Sequence, residues 1–237
     1  LDRAGVVGGD GPVHHGFADI AYLRVFPRMV LMAPGDGAEI EAALRLALSL
    51  DQPSAIRYPR DTIPEPLFAE GRAPAFELGR SVTLREGDDA TILAYGSTCR
   101  AALDAAEVLS ADGIDVRVVN ARFAKPVDRE MVAAALGRSA PVITAEDHSV
   151  SGGFGSAVLE TARELGLAAD KLVMLGLPAD RFVAHGPRAG QLAECGIDAA
   201  GICAAVRDAI GAPRSRAAEA ALQRNRDLAY VPTADET

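Results

Sequence analysis

Thr91-Ile92-Leu93-Ala94-Tyr95 decides the fold, because this mostly apolar run of five residues leads directly into Gly96. A short apolar run that ends at glycine is typical of a strand buried on both faces of a parallel sheet. Ser97 or Thr98 can then cap a helix over residues 101–111. Strand, glycine turn and capped helix together predict one unit of an α/β sheet.

The same alternation of apolar runs and helical segments continues downstream. Strands are predicted at residues 116–119, 141–145 and 172–175, and helices at residues 128–136, 156–165 and 199–210. Strands that alternate with helices at this spacing indicate a parallel or mostly parallel sheet. No apolar stretch approaches the roughly 20 residues that span a bilayer, so we expect no membrane partner.

A shorter α/β unit precedes this one. Apolar strands are predicted at residues 30–34 and 54–58, and a helix begins at Asp36, with Glu39 three positions later in an acidic form of the capping box. Residues 1–9 are expected to end a buried strand. These segments are too few for a complete doubly wound domain, so we expect its first strands upstream of Leu1.

The composition narrows the classes of function. The chain has 237 residues, of which 49% are hydrophobic, so it can form a large core. Its net charge of −9 argues against bulk attraction to nucleic acid, and a phosphorylated ligand would have to be held by local arginines. Three cysteines without metal-ligand spacing indicate idle thiols in a reducing compartment, and we expect a cytoplasmic location.

Two segments carry candidate functional side chains. Asp10 and His14 lie with His15 in a glycine-bracketed turn, where a carboxylate can tune an imidazole for proton transfer. Arg57 and Arg60 flank Tyr58-Pro59 at a strand end, where arginines can clamp a phosphate, and three-residue spacing predicts that they face opposite ways. A solvated loop and surface ion pairs are the alternative interpretations. Arg3 leaves the same choice open, between an ion pair and a ligand contact.

A second glycine-rich turn and two further histidines are weaker candidates. The turn at residues 151–156 lacks the spacing of a dinucleotide-binding loop, and we interpret it as a tight turn that lets a helix pack closely. Glu146, Asp147 and His148 precede it at a strand end and are not sufficient to define a site. His185 has no partner nearby in the sequence, which favours a structural role.

Many ordered motifs in this chain resemble the 1-deoxy-D-xylulose 5-phosphate synthase family, which is a transketolase-like family. The match runs from residue 2 to about residue 210. It is carried by Asp2-Arg3-Ala4-Gly5, Gly9-Asp10-Gly11-Pro12-Val13-His14, Asp19, Tyr22-Leu23-Arg24, Met32-Ala33-Pro34, Arg57-Tyr58-Pro59-Arg60, Ala121–Asp128, Gly152–Ser156, Gly176-Leu177-Pro178, Asp180–Val183, His185-Gly186 and Gly196–Ile202.

The resemblance implies a decarboxylating condensation of pyruvate with D-glyceraldehyde 3-phosphate. Its product is used for isoprenoid synthesis by the non-mevalonate route and for thiamine synthesis. Thiamine diphosphate and Mg²⁺ are the implied cofactors. By resemblance, Arg3 and Arg57 would bind the acceptor's phosphate, and Asp10 and His14 would be catalytic and move protons. No role carries over to His15, and no metal ligand is expected in this chain.

The resemblance also implies a domain organisation. Residues 1–72 would be the C-terminal part of a transketolase-like pyrimidine-binding domain, 73–88 a linker, 89–211 a transketolase C-terminal-like domain, and 212–237 a charged tail. The linker is expected to contain a strand near residues 79–84. The family's magnesium motif and cofactor-activating glutamate are expected upstream of Leu1, so we expect this chain to be inactive without the N-terminal part. By the same resemblance, we expect a homodimer.

One departure and two alternatives qualify this interpretation. Asp61 follows Arg60 where the family usually has glycine, so the loop after the phosphate-binding arginines can differ. One alternative is a non-catalytic dimerisation module derived from a transketolase-family protein. The other is the β subunit of a different thiamine diphosphate enzyme, which products formed with and without glyceraldehyde 3-phosphate would distinguish.

Overall fold

The computed structural model describes residues 1–68 and 73–212, whose strands form a three-stranded and a five-stranded sheet. The strands are β1 (Val30–Met32), β2 (Ser54–Ile56), β3 (Val82–Arg85), β4 (Ala90–Ala94), β5 (Val116–Asn120), β6 (Phe123–Lys125), β7 (Val142–Ser149) and β8 (Leu172–Leu177). The helices are α1 (Asp19–Leu23), α2 (Gly37–Ser49), α3 (Thr98–Ala111), α4 (Arg129–Leu136), α5 (Phe154–Glu164), α6 (Arg188–Glu194) and α7 (Ala199–Ile210). The predicted charged tail lies outside the described residues, apart from Ala212. Within the described part of the chain, every helix is too short or too polar to cross a membrane.

The five-stranded sheet has the strand order β3-β5-β4-β7-β8. Strand β4 is buried along its whole length and pairs in parallel with β5 and β7, and β7 pairs in parallel with β8. Only β3, in the predicted linker, is antiparallel to its neighbour. Helices α3 and α7 cover one face, and α4 and α5 cover the other. The mostly parallel α/β sheet predicted from the apolar runs is therefore confirmed.

The three-stranded sheet joins the two units of the chain. Strand β1 lies in its centre, parallel to β2 and antiparallel to β6, which comes from the second unit. Ala43 of α2 packs with Val30 and Met32 of β1 and with Phe123 of β6. Strand β6 has three residues and is separated from β5 by only two residues, and the sequence did not predict it as a separate strand.

Glu39 ties α2 to the second unit. The Asp36 side chain accepts a hydrogen bond from the Glu39 amide at 2.9 Å, and the Glu39 side chain accepts one from the Gly35 amide at 2.8 Å, which confirms the predicted helix start. The same carboxylate is fully buried and accepts hydrogen bonds from Asn120 Nδ2 and Arg122 Nε, both at 2.7 Å. One capping residue thereby also fixes the relative position of the two units.

The first residues do not end a strand, so that prediction was wrong. They form two short 3₁₀ turns, Gly8–Asp10 and Pro12–His14, in a loop closed by two hydrogen bonds between Gly5 and Gly16. The segment before the loop runs beside β2, because the Ala4 amide donates to the Tyr58 carbonyl at 3.0 Å. This pairing brings residue 3 next to the segment that follows β2.

Candidate functional site

A cavity of about 550 Å³ opens where the chain start, the segment after β2 and the N-terminal ends of α2 and α6 meet. Arg3 and Arg60 line it. Both guanidinium groups contact Oδ2 of Asp10, Arg3 at 3.2 Å and Arg60 in a closer ion pair. Three candidate residues from three places in the sequence, Arg3, Asp10 and Arg60, are therefore in contact at one end of this cavity.

The charges at this end of the cavity favour an anionic ligand. The hydrogen bond from Arg60 holds the pKa of Asp10 below its usual value, so the Asp10 carboxylate is ionised at neutral pH. Within the cluster of Arg3, Arg60 and Asp10, two guanidinium groups face one carboxylate, while Asp2, Asp36 and Asp61 line other parts of the cavity. Arg3 and Arg60 also remain 40% and 60% exposed, so both have N–H groups available for a ligand.

The His14 imidazole has one nitrogen committed and one free. Its Nδ1 lies 3.1 Å from the carbonyl oxygen of Asp10. Because a carbonyl can only accept, Nδ1 carries the proton in this contact and Nε2 keeps its lone pair. His14 is exposed, so that lone pair faces solvent and can accept a proton from a ligand.

The loop that carries Asp10 and His14 rests against the second unit. Gly11 has φ +76°, and a Cβ built on it would lie 2.1 Å from Nε2 of His185. Only glycine fits this close approach in the left-handed region. His185 therefore lies directly against the loop that carries Asp10 and His14.

His15 holds the same loop in place through buried contacts. It is buried, its Nδ1 accepts a hydrogen bond from the Val7 amide at 3.2 Å, and its Nε2 lies 3.1 Å from the Val183 carbonyl. This pattern requires a neutral imidazole with the proton on Nε2. Burial lowers the pKa of His15 below its ordinary value, more than the contact with Val183 raises it.

We expect this burial to make stability fall at acid pH. Below about pH 6.5 the unfolded chain protonates His15 while the folded chain resists, so the free energy of unfolding decreases as pH falls. Urea unfolding at about pH 7.5 and about pH 5.5 should show a smaller loss for His15→Gln than for the unsubstituted chain. His14→Gln is the control, because it leaves the buried contacts of His15 in place and should therefore keep the loss that His15 causes. Equal losses for His15→Gln and the unsubstituted chain would contradict this assignment.

Arg57 lies beneath the cavity and does not line it. Its side chain is 2% exposed, and Nε donates to Asp19 Oδ2 at 2.6 Å while Nη1 donates to Asp147 Oδ1 at 3.3 Å. Burial alone would lower the pKa of Arg57, but attraction to Asp147 and Asp19 outweighs it, and the pKa is raised. Arg57 and Arg60 therefore point to different surroundings, as their spacing predicted, and the arginine facing the cavity is Arg60.

The second unit contributes site residues that the sequence did not reveal. Arg188, at the first position of α6, lines the cavity, and Asp147 contacts both Arg188 and Arg57. His148 is buried beside Asp147 and accepts a hydrogen bond on Nε2 from the Ile20 amide at 3.1 Å. Only the acidic strand end at residues 146–148 was a signal for this cluster, and its partners lie far away in the chain.

The glycine-rich turn before α5 allows close packing, as the sequence predicted. A Cβ on Gly155 would lie 2.7 Å from Oγ1 of Thr144, so the helix touches the sheet. The buried carboxylate of Glu146 accepts hydrogen bonds from the Phe154 and Gly155 amides at the start of α5. The Glu146 side chain therefore satisfies two free amides at the N-terminus of α5.

The described residues do not form a metal site. They contain no group of three or more His, Cys, Asp or Glu side chains that could hold a metal ion.

Two family comparisons match the two units. Residues 1–66 match the transketolase pyrimidine binding domain, and residues 79–202 match the transketolase C-terminal domain. Among solved structures, the chain is similar to a protein described as a split gene transketolase, inactive beta4 tetramer. The TM-score is 0.75 at 36% identity, covering 88% of this chain and 65% of that one.

Curated relatives confirm the resemblance that the motifs indicated. The chain is 50% identical over 206 residues to 1-deoxy-D-xylulose-5-phosphate synthase 1 of Geobacter sulfurreducens, covering 86% of this chain and 32% of the relative. It is 50% identical over 202 residues to 1-deoxy-D-xylulose-5-phosphate synthase of Thermus thermophilus, covering 85% and 31%. The chain spans about a third of the length of these relatives.

Proposed function

Because this chain belongs to the transketolase family, we propose that it supplies the acceptor-binding part of a 1-deoxy-D-xylulose 5-phosphate synthase. The observation that carries the proposal is the meeting of Arg3, Arg60 and Asp10 at one cavity, with His14 on the same loop. The substrates would be pyruvate and D-glyceraldehyde 3-phosphate. Only the second substrate carries a phosphate that needs such a cavity.

Arg3 and Arg60 would hold the phosphate of the acceptor aldehyde. Guanidinium groups bind phosphate oxygens through paired N–H donors, and these two groups already converge on a carboxylate oxygen. Asp10 engages one nitrogen of each arginine in the structure, so a phosphate would bind through the remaining N–H donors and compete with Asp10 for these two. Arg60 takes the place of Arg57 in this proposal, because Arg57 is enclosed by its own carboxylates.

Asp10 and His14 would manage protons at the acceptor carbonyl. The contact between His14 Nδ1 and the Asp10 carbonyl leaves Nε2 able to accept or return a proton. The ionised Asp10 carboxylate, released from one arginine, can accept a hydrogen bond from a substrate hydroxyl. The neighbouring loop residue His15 would keep this arrangement in place through its buried contacts.

Thiamine diphosphate would supply the electron sink for decarboxylation of pyruvate. We propose that the cofactor and its Mg²⁺ are held mainly by the rest of the enzyme, because the described residues offer no metal site. This chain would then be inactive alone and would associate with further copies. The solved split-gene transketolase, described as an inactive beta4 tetramer, supports that expectation. The cavity and the adjoining loop with Asp10 and His14 support an enzymatic role over a non-catalytic dimerisation module.

A chimera tests the proposal. This chain would replace the matching part of the Geobacter sulfurreducens relative, and the chimera would be assayed with pyruvate, D-glyceraldehyde 3-phosphate, thiamine diphosphate and Mg²⁺. We expect 1-deoxy-D-xylulose 5-phosphate from the chimera and none from this chain alone. A folded chimera that makes no product, under conditions where the intact relative does, would contradict the proposal.

A further inference from the structure

Asp61 is fixed from two directions. Its Oδ1 accepts a hydrogen bond from the Thr62 amide at 2.8 Å, and its Oδ2 lies 2.8 Å from Nη1 of Arg188. Asp61 directly follows Arg60, whose side chain faces the cavity and is 60% exposed. The carboxylate that stands where glycine is usual in the resembling family therefore connects the Arg60 segment to the second unit.

Arg188 uses its donors on protein groups. Its side chain is 13% exposed, and besides Asp61 it reaches the Val6 carbonyl from Nε at 3.0 Å and Asp147 Oδ2 from Nη2 at 3.0 Å. All three guanidinium nitrogens are thus engaged. Although Arg188 lines the cavity, this pattern is that of a residue that positions others, and it differs from the partly free donors of Arg60.

Asp147 anchors Arg188 to the core. It is 1% exposed, lies on β7, and shares its oxygens between Arg188, Arg57 and the hydroxyl of Ser97 at 2.6 Å. Charges of alternating sign therefore run from the cavity rim into the interior in the order Asp61, Arg188, Asp147, Arg57 and Asp19. The line crosses between the two units, so a rigid sheet of the second unit supports a loop of the first.

We propose that Arg188 is a positioning residue for phosphate binding, acting through Asp61 on Arg60. The inference rests on the proposed function and adds a role for the second unit in acceptor affinity. An exposed arginine on a free loop loses conformational entropy when it binds a ligand, and a loop held in advance loses less. The Asp61–Arg188 contact holds the Arg60 backbone before the ligand arrives.

The test compares Arg188→Gln, Asp61→Asn and the double variant in the active chimera. We expect each single variant to raise the KM for D-glyceraldehyde 3-phosphate about tenfold, which corresponds to about 1.4 kcal/mol. The double variant should be no worse than Arg188→Gln alone, because Arg188→Gln already removes the Asp61–Arg188 contact together with the contacts to Asp147 and Val6. Turnover of non-phosphorylated D-glyceraldehyde and the KM for pyruvate should be unchanged in all three.

Arg181→Gln serves as the matched control, because Arg181 forms an exposed ion pair with Glu194 in the same part of the second unit. It should behave as the unsubstituted chimera does. Additive KM increases in the double variant, or equal losses with both aldehydes, would overturn the positioning role while the chimera remains active. An unsubstituted chimera without activity would instead count against the proposed function, so the two failures are distinguishable.

Discussion

Arg57→Met is expected to lower the free energy of unfolding by about 3–5 kcal/mol, since removal of one partner from a buried ion pair leaves uncompensated charge. Arg57 is enclosed between Asp19 and Asp147, both of which are buried. Methionine fills part of the volume but donates nothing to either carboxylate. Urea unfolding of the whole chain, monitored by circular dichroism, measures the loss.

Arg45→Met is the control for the Arg57 substitution. Arg45 pairs with Glu41 on the exposed face of α2, and loss of an exposed pair costs less than about 1 kcal/mol. A chain with Arg57→Met that unfolds like the unsubstituted chain would contradict the structural role of Arg57. If the same substitution also raised the KM for D-glyceraldehyde 3-phosphate in the chimera, Arg57 would be the arginine that binds the phosphate.

Arg60→Gln is expected to reduce kcat/KM for D-glyceraldehyde 3-phosphate about 100-fold in the chimera, or about 2.7 kcal/mol. Glutamine removes the positive charge and the paired donors that Arg60 directs into the cavity. Steady-state kinetics with the phosphorylated aldehyde and with D-glyceraldehyde separate phosphate binding from general damage. The non-phosphorylated substrate should lose less than about threefold.

Equal losses of kcat/KM with the two aldehydes would contradict phosphate binding by Arg60. They would mean that Arg60 stabilises the fold or acts at the aldehyde carbonyl. Stability provides a second check, because Arg60 is 60% exposed and its replacement should leave urea unfolding nearly unchanged. The substitutions of Arg57 and Arg60, which lie in one tetrapeptide, are thus expected to change different properties of the protein. Arg57→Met changes stability, whereas Arg60→Gln changes substrate preference.

The sequence predicted the elements whose signals are local. Apolar runs located β4, β5, β7 and β8, and capping residues located helix starts, as with Asp128, which accepts hydrogen bonds from the Glu130 and Met131 amides. Strand β6 has three residues, and α6 has seven and no side-chain cap. Such short elements are fixed by tertiary contacts, which periodicity does not report.

The candidate site also has residues that the sequence could group and contacts that it could not predict. Asp10 and His14 are four residues apart in one glycine-rich turn, so the sequence could group them. The choice between Arg57 and Arg60 depends on Asp19 and Asp147, which lie 38 and 90 residues from Arg57. The contact of Arg188 with Asp61 spans 127 residues and has no local signature.

Calorimetric titration with D-glyceraldehyde 3-phosphate tests most directly whether this cavity binds the acceptor's phosphate. The account predicts saturable binding to the unsubstituted chain, weakened at least about tenfold in Arg60→Gln and unchanged in Arg45→Gln. Inorganic phosphate should compete for the same site. Equal binding by the unsubstituted chain and the Arg60→Gln variant, or no binding to either, would contradict the account.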